Sequence, residues 1–370
     1  MKKSILTYSA LSVLLLLVSC SKDELESQVV QADLKNITSS SAVQTSTAPA
    51  FTQLFETFGG GWTGGDGAYS IPLPDGRILW TFGDSFLGTV NPDFSRPGGP
   101  LINNTFVIQD GNQLETLYGG TPSNPEAYVR PWDSSTDFYW PGDGTVIGDR
   151  LYMFMLRIRL TGEGGPFGFE HIGTDLAVFS LPDLQLIHQR EIARTTEYLM
   201  GVSIYEEDGW VYVYGTYSSF GKDALVARVS VNDLDLIQHW NGDGWQSGFD
   251  GEAFMLTEDG SNLKVSNMFS VFRYDGKYLL LTQQDFFSNR IMLYSSDSPT
   301  GPWRNPVLVF ETPETGGDVF TYNASCHPHI THPDKGMLVT YSVNSFDFWD
   351  LFEDARLYRP RFFWMKAAGD

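Results

Sequence analysis

The sequence is poor in cysteine, in positive charge and in helix-forming runs, and each shortage excludes something. Only two of its 370 residues are cysteine, Cys20 and Cys326. A disulfide scaffold is therefore out of reach, and core burial must hold the fold. Lys and Arg number 24 against 45 Asp and Glu, a formal net charge of −21. Such a surface repels phosphate backbones and anionic lipid, which argues against nucleic acid as a partner. Stretches rich in Ala, Leu, Glu and Lys are few, while 37 Gly, 26 Phe, 17 Tyr and 10 Trp are spread along the chain. That composition favours many short strands and excludes a helical bundle or a coiled coil.

The N-terminus reads as an address. Lys2 and Lys3 precede an apolar run from Ser9 to Val18, short for a bilayer span. The next boundary, Leu17-Val18-Ser19-Cys20, resembles a bacterial lipobox. The resemblance implies a signal peptide over 1–19 and acylation of Cys20, with the rest of the protein touching a membrane only through that lipid; the alternative is an uncleaved anchor. Ser21-Lys22-Asp23-Glu24-Leu25 is similar to the acidic sorting signal of Bacteroidetes surface lipoproteins, which implies the outer membrane and the cell surface. Ser27 to Ala50 is small and polar without hydrophobic period, the composition of a linker. Residues 20–50 are thus expected to be lipidated Cys and linker, and 51–370 one folded domain acting as a monomer.

Within that domain a pattern of apolar strand, Asp/Gly turn and aromatic-rich strand occurs five times. It spans Tyr69 to Phe82, Thr145 to Phe154, Val202 to Tyr214, Ser270 to Leu281 and His329 to Tyr341. The spacing, roughly 60 to 75 residues, suits a four-stranded blade with extended loops. The predicted fold is all-β, a five-bladed β-propeller with its active site at one mouth of the central channel; a pair of β-sandwiches is the alternative.

The first hairpin carries a geometric consequence. Leu73-Pro74-Asp75-Gly76 is a type I turn sequence with Gly76 suited to a G1 bulge, which pairs Leu73 with Arg77. Counting outward from that pair sets Asp66, in Gly64-Gly65-Asp66-Gly67, opposite Asp84, in Phe82-Gly83-Asp84-Ser85. Directly opposed Cβ atoms lie about 4.5–5.5 Å apart. Two like charges there are costly, so one carboxyl is protonated or a bound group separates them. The functional reading is a general acid and base for glycoside cleavage, with inversion favoured because the carboxyls can splay; the structural one is a pair of strand-end caps.

Other residues are candidates for the same mouth. Asp143, in Trp140-Pro141-Gly142-Asp143-Gly144, precedes the second inner strand as Asp66 precedes the first, and is expected to bind sugar hydroxyls or tune the pair. His327 and His329 precede the fifth inner strand, where a ring nitrogen can bond a carboxylate or a hydroxyl. Arg157 follows the second hairpin and is a partner for Asp143 or for substrate, and Asn344 and Gln284 hold corresponding positions. Trp62, Trp140 and Phe86 flank the acidic motifs and offer faces to sugar rings, with core packing as the plainer reading. No Cys/His metal spacing, P-loop, dinucleotide fingerprint, G-x-S-x-G or sialidase Ser-x-Asp-x-Gly-x-x-Trp box occurs, so neither metal nor cofactor is expected.

The stretch from Gly60 to Gly88, with Gly142-Asp143-Gly144 and the run from Tyr322 to His327 leading to Val343-Asn344, resembles a bacterial family long catalogued as a domain of unknown function. Some of its members are endo-D-arabinanases of five-bladed propeller fold. The resemblance implies cleavage of α-D-arabinofuranosyl linkages, as in arabinogalactan and lipoarabinomannan, with the essential aspartates at Asp66 and Asp84. The expected partner is a polysaccharide. A noncatalytic glycan-binding lipoprotein and an L-arabinan or xylan hydrolase are the alternatives.

Overall fold

The structure, a computed structural model, describes residues 43–163, 168–217, 222–248 and 254–367, within a compact unit formed by Ser39–Asp370. Cys20, the signal peptide and the sorting signal lie outside the described residues. The expectation of an all-β chain is met: among the described residues two short α-helices, Pro49–Leu54 and Asp350–Glu353, and one 3-10 turn, Ala355–Tyr358, accompany the strands.

Among the described residues five antiparallel sheets of four or five strands follow one another along the chain, accompanied by a three-stranded sheet of Trp62–Gly65, Ser85–Leu87 and Leu101–Ile102 and a two-stranded one of Gly119–Thr121 and Asn124–Glu126. The first contains Tyr69–Pro72, Ile78–Phe82, Thr105–Asp110 and Gln113–Leu117. The second contains Phe138–Ile147, Arg150–Leu160, Phe169–Ser180 and Leu186–Ala193. The third runs from Tyr198–Glu207 through Trp210–Tyr217, Asp223–Ser230 and Asp233–Trp240 to Trp245–Ser247. The fourth holds Phe269–Tyr274, Lys277–Gln283, Arg290–Ser296 and Arg304–Glu311. The fifth starts with Val319–His332, Gly336–Ser345 and Pro360–Ala367, and Val43–Thr47 from the start of the unit pairs with Pro360–Ala367 as its fourth strand.

This last pairing moves the domain boundary. Residues 43–50, expected in the linker, form an edge strand and the start of a helix that packs Phe51 and Phe55 against Phe362. Val43-Gln44-Thr45-Ser46-Thr47 is exposed along most of its length. Its composition is therefore polar, and a strand held by backbone bonds at a sheet edge looks like a stalk in sequence.

Each sheet buries its faces against its neighbours. Ile71, Leu79 and Phe106 of the first sheet pack with Met153 and Phe179 of the second, and Leu176 and Val178 of the second with Val213 and Leu225 of the third. Tyr214 and Val226 of the third meet Phe269 and Leu280 of the fourth, and Leu281 and Leu293 of the fourth meet Val339 and Phe363 of the fifth. Leu338 and Trp364 of the fifth share a core with Trp80 and Phe82 of the first. Full burial of one such Leu or Phe contributes about 1.5–3 kcal/mol, which is the source of stability in a unit whose one cysteine, Cys326, is a free, buried thiol.

The first strands of successive sheets are also joined by side chains. Ile204 N–H donates to Asp143 Oδ2 at 2.7 Å, Val271 N–H to Ser203 Oγ at 2.9 Å, and Cys326 N–H to Ser270 Oγ at 2.9 Å. A residue on one sheet thereby satisfies a backbone donor on the next that its own sheet leaves unpaired.

Candidate active site

The first hairpin has the register its turn dictates. Leu73 N–H donates to Arg77 O at 2.9 Å, Gly76 N–H to Leu73 O at 3.0 Å, and Gly76 takes φ +91°. Pairing continues as Tyr69 with Thr81 and resumes as Gly65 with Ser85. Between these pairs lie Asp66 and Asp84, on opposite sides of the hairpin, with Gly83 N–H donating to Asp66 O at 2.9 Å. A Cβ at Gly83 would come within 2.9 Å of Asp66 Oδ1 and press on that carboxyl.

Distant elements hold the two carboxyls. Asp66 Oδ2 accepts from the hydroxyl of Tyr322, on the first strand of the fifth sheet, and Tyr358 also bonds this carboxyl. Asn344 Nδ2 donates to the Tyr322 oxygen at 3.0 Å. Asp84 Oδ1 accepts from Trp140 Nε1 at 2.9 Å and from Asn103 Nδ2 at 3.1 Å. Each carboxyl is half-buried and keeps an accessible edge.

Burial pushes Asp66 up to about 7; the Tyr322 and Tyr358 hydrogen bonds oppose this and the Asp84 charge adds to it. Burial raises Asp84 as well, against the Trp140 and Asn103 donors. Two facing carboxyls, both pushed upward, favour a state with one proton on the pair. On one side Asp84 opens into a cleft of about 710 Å³ whose lining includes Asn103, Arg130, Asp137, Trp140 and Phe169.

The remaining sequence candidates divide. Trp140 and Asn344 belong to the arrangement just described. Asp143 sits in the bulge between Pro141 and Gly144, where Gly144 N–H and Ile204 N–H occupy its two oxygens. Its burial still lifts it to about 7. Arg157 does not pair with Asp143: it is buried and bonded to Asp137 at 2.8 Å and Asp133 at 2.7 Å. It pairs in register with Tyr139, whereas Asp143 lies beyond Pro141, which faces Met155.

His327 reaches neither carboxyl of the pair. It is buried between the fifth and first sheets, with Nδ1 2.5 Å from Ser70 Oγ and its ring edge-on to Trp80 at 4.9 Å, and burial drives its pKa down. His329 is exposed, 3.3 Å from the same Ser70 Oγ. Trp62 is core, packed against Phe55 and Phe82, and Phe86 is buried too. Gln284 is half-buried at a strand end. Its neighbour Gln283 is the inward residue, donating to Ser288 O at 2.6 Å and Thr321 O at 3.0 Å.

Tyr358 and Asn103 escaped the sequence reading, and Tyr322 stood in a quoted motif without a role. No local pattern ties them to an aspartate in another sheet or loop. Among the described residues no group of three or more His, Cys, Asp or Glu is placed to hold a metal ion.

The family model described as Domain of unknown function (DUF5005) matches residues 49–367. No curated protein matches the sequence. Among solved structures, a Bacteroides ovatus ATCC 8483 protein provisionally named a hydrolase aligns with TM-score 0.76 and 23% identity, over 87% of this chain and 90% of that one. RS223-β-xylosidase aligns with TM-score 0.50 and 12% identity, over 88% of this chain and 94% of that one. An endo-arabinase from Bacteroides thetaiotaomicron VPI-5482 aligns with TM-score 0.46 and 13% identity, over 85% and 98%.

Proposed function

The chain belongs to the DUF5005 family, and from that membership and its facing carboxyls we propose that it is a glycoside hydrolase built as a five-bladed β-propeller. Five four- or five-stranded sheets, four cores each shared by successive sheets, and a fifth core shared by the fifth sheet and the first support the propeller. The strand Val43–Thr47, completing the fifth sheet from the other end of the domain, fits the same closure.

The observation that carries the activity is the Asp66–Asp84 pair. Asp66, raised to about 7, is protonated in mildly acidic water and is the general acid. Asp84 is the general base: Trp140 and Asn103 both bind Oδ1, which leaves Oδ2 to accept a proton from water. In the reaction Asp66 gives its proton to the glycosidic oxygen as the bond from that oxygen to the anomeric carbon breaks. Water forms the new bond to that carbon, its proton passes to Asp84, and the anomeric configuration inverts.

The substrate class is an uncharged furanoside polysaccharide cut internally, with α-D-arabinofuranosyl linkages of D-arabinan first among them. The net charge of −21 suits a neutral polymer. The lipobox ending in Cys20 supports a lipid-anchored protein of the outer membrane facing the cell surface. Product analysis on D-arabinan, L-arabinan and xylan tests the reading. Oligosaccharides released from D-arabinan are expected; release from L-arabinan or xylan alone replaces the substrate, and binding without release replaces the hydrolase with a glycan-binding protein.

A further inference from the structure

An exposed aromatic segment is linked through ring contacts to the residues around the carboxyl pair, and nothing in the chemistry above uses it. After the second strand of the fifth sheet the chain runs Phe346-Asp347-Phe348-Trp349-Asp350. Phe346, Phe348 and Trp349 are 45%, 47% and 68% exposed, a run of large apolar surface on one short segment.

Two contact chains connect this segment to the site. Phe348 lies 6.2 Å from the ring of Phe86, two residues beyond Asp84. Phe346 lies 4.5 Å from Phe320, which is 5.2 Å from Tyr322, the residue bonded to Asp66. The segment is also held in shape without being covered. Ser345 Oγ donates to Asp350 Oδ2 at 2.6 Å and accepts from Asp347 N–H at 3.1 Å, and Trp349 N–H donates to Asp347 Oδ1 at 2.9 Å. Rings fixed in this way lose little freedom when something lies on them.

We propose that Phe348 and Trp349 form a sugar-stacking subsite that holds the glycan beyond the bond being cleaved. The inference rests on the glycosidase reading of Asp66 and Asp84. Flat rings match the C–H faces of sugar residues, and the neighbouring Asp347 and Asp350 carboxylates accept from hydroxyls while repelling anionic polymers and anionic lipid. Asp84 also lines the 710 Å³ cleft, whose lining includes none of these rings. A chain lying on the rings and continuing into that cleft has sugar residues on both sides of the pair, which is the geometry of internal cleavage. The subsite therefore discriminates long chains from short ones.

The test uses Trp349→Ala and Phe348→Leu, the second retaining an apolar contact with Phe86 while removing the flat face, with Leu186→Ser on the second sheet as a surface control. On whichever panel polymer the wild-type chain cleaves, both subsite variants are expected to raise KM about three- to tenfold, with the loss growing with oligosaccharide length. In an Asp84→Asn background, the same changes are expected to weaken retardation in a gel containing that polymer. Unchanged KM and unchanged retardation in both variants, with cleavage intact, overturn the subsite and leave the carboxyl pair standing. A wild-type chain that cleaves none of the panel overturns the hydrolase reading, and the subsite with it.

Discussion

Tyr322 donates its hydroxyl hydrogen to Asp66, linking the fifth sheet to the loop that enters the first. The bond favours the ionised carboxyl and so restrains the rise that burial imposes. In the proposed mechanism Tyr322 is a positioning residue. Tyr322→Phe should move the alkaline limb of the pH–rate profile upward, because Asp66 then holds its proton to higher pH. Asn344→Ala, one step removed, should move it less. An alkaline limb that stays in place in Tyr322→Phe would contradict the assignment of Asp66 as the acid.

The wild-type profile itself should be bell-shaped. Activity falls as pH rises through about 7, where Asp66 loses its proton. It also falls on the acid side, at a pH above the ordinary carboxyl value, because burial raises Asp84. The two limbs belong to the pair as a unit. Initial rates over a wide pH range measure this, and a profile still rising above pH 8 would exclude a protonated Asp66.

Stability should respond to Asp66 in the opposite sense from an ordinary salt-bridged aspartate. Its folded pKa, about 7, is above the ordinary aspartate value of 3.8. Its stabilising contribution is therefore complete below the unfolded value and is lost as pH rises through the folded one. Asp66→Asn has no charge to desolvate. Its Tm should equal or exceed that of the wild type at pH 8, with the advantage shrinking at pH 4. A clearly lower Tm at pH 8 would show that the carboxylate is there for structure.

Asp143 should behave differently from the facing pair. It accepts two backbone N–H bonds, one of them across to the third sheet. Asp143→Ala leaves donors unpaired and should cost about 1–3 kcal/mol. Asp143→Ser should recover part of this, because Ser203 and Ser270 bond the next sheet in the same way. Chemical denaturation reads both, and an Ala variant as stable as the wild type would refute the clamp.

The facing of Asp66 and Asp84 was legible because everything that sets it is local: Pro74, the bulge at Gly76 and a register that is the same on both sides of the unpaired stretch holding the two aspartates. What the sequence could not disclose is whatever depends on another sheet. Arg157 has its counterions at Asp133 and Asp137, and His327 its partner at Ser70, none of them marked by spacing. Gln284 shows a subtler limit. Alternation has period two, so a one-residue offset separates the outward side chain from Gln283, which turns inward. The edge strand Val43–Thr47 was hidden for yet another reason, since an exposed strand has no need of apolar residues.

The central claim is that Asp66 and Asp84 together cleave a glycosidic bond. The most direct measurement compares turnover of the panel polysaccharides by the wild type, Asp66→Asn and Asp84→Asn, with each variant confirmed folded by its thermal transition. The account predicts that the wild type releases oligosaccharides from D-arabinan and that each substitution lowers the rate about 10²–10⁴-fold. Near-wild-type turnover in both variants would contradict it and reduce the pair to strand-end caps.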